Sequence, residues 1–137
     1  MGLLAWQAGA EELKWQTDLP AAQAQAKKEG KMVFVDFTGS DWCGWCIKLQ
    51  KEVFTTKEFA DYAKKNLVLV ELDFPRTKPQ SDELKKTNAK LQKQHDVGGF
   101  PTLLVLNGEG KEVWKQTGYM AGGPTAWIAK LDEAKKK

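Results

Sequence analysis

Cys43 and Cys46 are the only thiols in a chain of 137 residues, and they stand three positions apart in the run Trp42-Cys43-Gly44-Trp45-Cys46. The run follows a β-branched and aromatic segment and opens one with helical periodicity. In the first turn of a helix, unpaired backbone N–H groups and the positive end of the dipole favour an anion, so a Cys43 thiolate is stabilised and its pKa lowered. Cys46 falls one turn on, on the same side and deeper, within reach of a disulfide. The spacing therefore makes Cys43 the attacking sulfur and Cys46 the resolving one. Half of a zinc or copper site shared between chains is one alternative, and an incidental pair is another. The order strand, motif, helix inside a βαβ pattern favours thiol redox chemistry.

Scarcity excludes other roles. Two cysteines this close cannot frame a small disulfide-held fold, and with His95 the single histidine the chain lacks the four ligands of a closed zinc site. His95 falls near a helix C-terminus, where a cation is favoured, and is expected to cap or decorate the surface rather than to transfer protons. No metal and no dissociable cofactor is expected; the redox group is the Cys43–Cys46 disulfide itself. Net charge is +3, yet all but one of the 21 basic residues are lysines interleaved with 18 acids, and the single Arg76 leaves no arginine-rich face for nucleic acid. The apolar runs, such as 67–70 and 103–106, stop far short of the ~20 residues that cross a bilayer.

The elements that must position the cysteines read clearly. Leu13, Trp15 and Thr17 alternate as a short strand. Asp18 caps a helix with Pro20 in its first turn, Ala22 and Ala26 on one face and Gly30 as its stop. Residues 31–37 (KMVFVDF) form a strand apolar on both faces except at Asp36. The helix opened near Cys43 offers Ile47, Leu49 and Val53 to a core and breaks near Phe54, after which Thr55 and Glu58 have capping-box spacing for a second segment. Residues 67–74 (LVLVELDF) form another buried strand. A loop from Pro75 precedes a helix capped by Ser81, with Leu84, Leu91 and His95 on one face. After Gly98-Gly99-Phe100-Pro101, the strand 102–106 turns at 107–110 and returns over 112–117. Pro124 opens a last helix with Trp127, Ile128 and Leu131 inward. The order β-α-β-α-β-α-β-β-α predicts an α/β fold: a central sheet, mainly parallel with an antiparallel C-terminal hairpin, flanked by helices on both faces. Residues 13–137 make one domain. Residues 1–12 read as a leader, because Ala8-x-Ala10 is a signal-peptidase pattern, although a basic start and a full apolar stretch are missing. Export is the expectation, a cytoplasmic location the alternative.

Val35-Asp36-Phe37, Trp42-Cys43-Gly44-Trp45-Cys46, Gly99-Phe100-Pro101-Thr102 and Gly118 resemble the thioredoxin superfamily in matching order over about residues 13 to 134. The run from Phe37 to Cys46 is especially similar to exported thioredoxin-like proteins related to the C-terminal domain of DsbD. The resemblance implies a thioredoxin fold in which Pro101 matches the cis-proline beside the disulfide and leaves the Phe100 backbone open to an extended client segment. It implies that Asp36 is the buried carboxylate behind the resolving cysteine, with a raised pKa suited to taking the Cys46 proton; the alternative is a structural Asp capping the 38–40 turn. Two departures stand out: the segment from Asp36 to Cys43 is one residue longer than usual, and the third-strand Lys of many thioredoxins aligns with Leu69. Trp42, Gly44, Trp45, Phe100, Pro101 and Gly118 are the expected client-binding surface. Gly-Trp lacks the Pro of the strongly reducing motif, and its aromatic resembles the Gly-Tyr of the isomerase DsbC, so an intermediate potential is expected.

The implied activity is thiol-disulfide exchange with protein clients, as a reductase fed by a membrane thiol reductase of the DsbD kind, from a monomer. An isomerase or oxidant, or a redox-gated module that holds peptides or copper, are the alternatives. The loop within residues 75–87 is additional to compact thioredoxins and is expected to be a solvated excursion.

Overall fold

The computed structural model describes residues 13–137; the expected leader lies outside them. Five strands form one sheet: β1 (Trp15–Gln16), β2 (Met32–Thr38), β3 (Leu67–Asp73), β4 (Thr102–Leu106) and β5 (Glu112–Thr117), in spatial order β1-β3-β2-β4-β5. β1 and β2 run parallel to β3, while β4 runs antiparallel to both β2 and β5. The antiparallel part therefore begins one pairing earlier than the closing hairpin, because the chain re-enters the sheet reversed after α4 and the Pro101 loop. All seven residues of β2 are buried, as a strand covered on both faces requires.

The helices are α1 (Leu19–Glu29), α2 (Gly44–Leu49), α3 (Lys57–Asn66), α4 (Asp82–Gln94) and α5 (Gly123–Lys135). Asp18 caps α1 by accepting the Ala21 N–H at 3.0 Å, and Gly30 ends it at φ +70°. A π-helical turn, Gln50–Phe54, extends α2 and sets the break expected near Phe54. The extra residue it accommodates moves the cap of α3 from Thr55 to Thr56, whose hydroxyl accepts the Phe59 N–H at 3.2 Å. Ile47 does not join the core: 48 % exposed, it lies about 100° around the helix from the inward Cys46.

Two cores result. On the face carrying α2, α3 and α5, Phe34 sits among Trp15, Phe54, Phe59 and Trp127, with ring centroids 5.6 to 6.3 Å away. On the opposite face Val33, Val35, Phe37, Val70 and Leu104 pack with Ala22 and Ala26 of α1. Asp36, two residues beyond Phe34, is on the α2 face. Among the described residues no helix is long and apolar enough to cross a membrane.

Candidate active site

β2 ends at Thr38 beneath the start of α2, and Gly39-Ser40-Asp41-Trp42 carries the chain to Cys43. Ser40 is held by Asp73 at the end of β3, through its N–H at 2.9 Å and its hydroxyl at 2.5 Å. Trp42 donates its indole N–H to the Phe74 carbonyl at 2.7 Å, meets Phe100 edge-on at 5.9 Å and lies under the Arg76 guanidinium at 3.8 Å. A Cβ on Gly39 would stand 2.4 Å from the nearest indole atom, so only glycine leaves that ring its place.

Cys43 and Cys46 are joined in a disulfide with Cα atoms 5.2 Å apart. Cys43 is the N-cap of α2, and its Sγ accepts the Cys46 N–H at 3.2 Å, which is the anion-favouring position that the sequence indicates. The two residues are equally buried, at 6 % exposure each, so Cys46 is not the deeper of the pair. Next to them Trp45 is 57 % exposed and packs on Tyr119 at 5.1 Å. Tyr119 hydrogen-bonds Glu52 and lies under Lys48 at 5.6 Å. The Phe100–Pro101 peptide is cis, and Gly118, at φ +88°, donates its N–H to the Pro101 carbonyl at 2.8 Å. Gly44 has open space where a Cβ would be. Trp42, Gly44 and Trp45 flank the cysteines in the chain, Phe100 meets Trp42, Gly118 is bonded to Pro101, and Tyr119, which the sequence does not single out, meets Trp45.

Asp36 is 4 % exposed and its Oδ1 has no hydrogen-bond partner among the described residues. It does not cap the 38–40 turn, since Asp73 does that. Burial raises its pKa well above the usual aspartate value, and Glu71 and Asp73 add to the rise. The β3 residue paired with Asp36 is Glu71, not Leu69, which pairs with Phe34. Placing a basic residue opposite Asp36 by sequence misses by one inward position, because the strand alternates and only the register decides which inward residue faces it.

The segment after β3 is no free excursion. Asp41 accepts the backbone N–H groups of Arg76, Thr77 and Lys78 at 2.8 to 2.9 Å and the Thr77 hydroxyl at 2.7 Å, which hold its carboxyl below the usual carboxylate range. α4 then begins at Asp82, so residues 82–87 are helical. His95 ends α4 with its ring 6.3 Å from Phe37, on the sheet face opposite α2, and its Nδ1 is 3.7 Å from Glu112. Among the described residues no three His, Cys, Asp or Glu side chains group as metal ligands.

The chain matches the thioredoxin-like domain family over residues 19–135. It belongs to that family. It is 37 % identical over 127 residues to the disulfide bond reductase DsbH of Chlamydia pneumoniae, covering 93 % of this chain and 75 % of that protein. A solved structure of DsbH oxidoreductase superposes with a TM-score of 0.85 at 36 % identity, over 94 % of this chain and 88 % of the other. It is also 34 % identical over 110 residues to the thiol:disulfide interchange protein DsbD of Vibrio cholerae, a match to 79 % of this chain but only 17 % of that much longer protein. With the family's Cys-x-x-Cys in disulfide form at the start of α2, this thioredoxin-like chain is a thiol-disulfide oxidoreductase.

Proposed function

We propose that this chain is an exported protein-disulfide reductase. The observation that carries the reading is the Cys43–Cys46 disulfide at the cap of α2, with the exposed Trp45 beside it and the likeness to a protein named a disulfide bond reductase behind it. In the reduced form the Cys43 thiolate attacks a client disulfide, releasing one client thiol and leaving a mixed disulfide. Cys46 loses its proton to Asp36, attacks Cys43 Sγ and releases the second client thiol. Two electrons pass from the enzyme dithiol to the client, and the enzyme is left oxidised.

The client lies across Trp42, Gly44, Trp45, Phe100, Pro101 and Gly118, its extended backbone along the Pro101 loop. Electrons return from a membrane thiol reductase of the DsbD kind, a reading supported by the likeness to DsbD proteins. The enzyme works as a monomer with the disulfide as its redox group. Cys43→Ser abolishes insulin-disulfide reduction under this reading, and activity retained in that variant overturns it. The direction is tested by equilibrating the Cys43–Cys46 couple with glutathione: a potential near the oxidant end, about −120 mV, makes the chain an oxidant instead.

A further inference from the structure

Asp36 and Glu71 are directly paired positions on the parallel strands β2 and β3, and both side chains belong to the sheet face that α2 covers. Glu71 lines a cavity of about 270 Å³ together with Thr38, Ser40, Gln50 and Cys46 of the active site. It also lines a second hollow of about 360 Å³, bounded by Thr17, Asp73, Lys78, Gln80 and Asn88 beneath the segment that follows β3. The topology explains this double position. Among the described residues β1 pairs with β3 only at Leu69 and Val70, so the outer edge of β3 at Glu71 has no neighbouring strand there and faces the loop. Asp36 lies one strand further in, between β3 and β4, with Leu103 as its partner on the other side and one carboxyl oxygen unsatisfied.

We propose that Glu71 is the relay through which the proton of Cys46 reaches solvent, with Asp36 as the buried member of a two-carboxyl pair. The inference rests on the thiol-disulfide reading of Cys43 and Cys46. When the mixed disulfide resolves, the Cys46 thiol gives its proton to the carboxyl pair, the Cys46–Cys43 bond forms and the Cys43–client bond breaks. The departing client thiolate is protonated from solvent, and Glu71 discharges the pair through the hollow at the β3 edge. The enzyme dithiol is oxidised, the client is reduced, and one proton crosses from the inner cavity to the outer one.

Asp36 and Glu71 are paired positions on one sheet face, burial disfavours the ionised form of each, and the Glu71 charge raises the Asp36 pKa further. Burial raises the Glu71 pKa, Asp73 adds to it, and Lys78 opposes it. The charged groups facing the pair are Asp73 from β3 and Lys78 from the loop; α2 contributes Cys46, β4 the apolar Leu103, and α4 the neutral Asn88.

The test is stopped-flow formation and resolution of the mixed disulfide that Cys43 of the reduced protein makes by attacking an activated aromatic disulfide, one aromatic thiolate leaving at each step, in the full chain with Glu71→Gln, Glu71→Asp and Asp36→Asn. Wild type must first form and release the mixed disulfide; if it forms none, the underlying reading fails and not the relay. Formation in Glu71→Gln should match wild type, while release slows by about 100-fold at pH 7, the low end of what a positioned acid–base group contributes. The limb of the pH profile assigned to the pair should disappear with it. Glu71→Asp should restore most of the rate, and the Asp36→Asn and Glu71→Gln losses should fall well short of additive. Release from Glu71→Gln with the wild-type rate and pH profile overturns the proposal, as does full additivity of the two losses.

Discussion

Trp42 and Phe74 are joined by an indole N–H to carbonyl hydrogen bond of 2.7 Å, so the residue in front of the attacking cysteine is tied to the chain just beyond β3. Phe74 itself stacks on Phe100 at 4.9 Å, which ties the same point to the Pro101 loop. The three segments around the disulfide are therefore one packed unit, and a disturbance in any of them reaches the other two.

Gly39→Ala is the most direct test of that unit. The added methyl overlaps the Trp42 ring, and the ring is held by Phe74, Phe100 and Arg76. Overpacking of this kind costs about 1–3 kcal/mol. Denaturant unfolding should show a lowered midpoint at constant slope, and insulin reduction should fall; an unchanged midpoint refutes the packing described for Trp42.

Asp41→Ala removes the carboxylate that receives three consecutive backbone N–H groups at 76–78. The peptide bond after Arg76, the single arginine of the chain, should then open to an arginine-specific protease. Cleavage at that bond at least about tenfold faster than in wild type is the expected outcome, followed by mass spectrometry of the two fragments. Equal rates would mean that the loop is held by other contacts.

Asp36 predicts a pH dependence of stability. Its folded pKa is raised above that of the unfolded chain, mainly by burial. The fold therefore binds the proton more tightly than the unfolded chain does, and stability falls as pH rises from the ordinary aspartate value of 3.8 through the raised folded value. Asp36→Asn removes that loss. The variant should exceed wild type at pH 7 by about 1–3 kcal/mol, because the amide carries no charge to be desolvated, and the gap should close below pH 3.8. Thermal melts from pH 3 to 8 decide it; parallel curves would show a carboxyl that is not desolvated.

Trp45→Ala should separate binding from folding. The side chain is 57 % exposed and its recorded ring partner is Tyr119. Stability should stay within about 0.5 kcal/mol of wild type. For a protein client kcat/KM should drop by about tenfold, equivalent to about 1.4 kcal/mol of lost contact, through KM rather than kcat. An unchanged KM would take Trp45 off the client surface.

Most of the frame was legible because it follows from local chemistry: Asp18 and Ser81 as caps, the fully buried β2, and Cys43 at a helix start each occupy the positions that their residue types imply. What sequence could not supply was registry and packing at a distance. Glu71 drew no reading from the sequence, and it is the strand pairing that places it opposite Asp36. Asp41, Asp73 and Arg76 drew no reading of their own from the sequence, since their partners lie more than thirty positions away in the chain. A chain with one arginine offered a hint, as did an aspartate just before the motif. Neither showed what it held. Tyr119 was missed because only the folded hairpin brings it against Trp45.

The acceptor that closes the first turn of α2 is the Cys43 sulfur, the same atom that exchanges electrons. Charge and bonding thus change at an atom already serving the backbone. The amide resonance of Cys46 is accordingly a built-in reporter: its chemical shift should follow the redox state and the Cys43 titration while the rest of the helix stays silent.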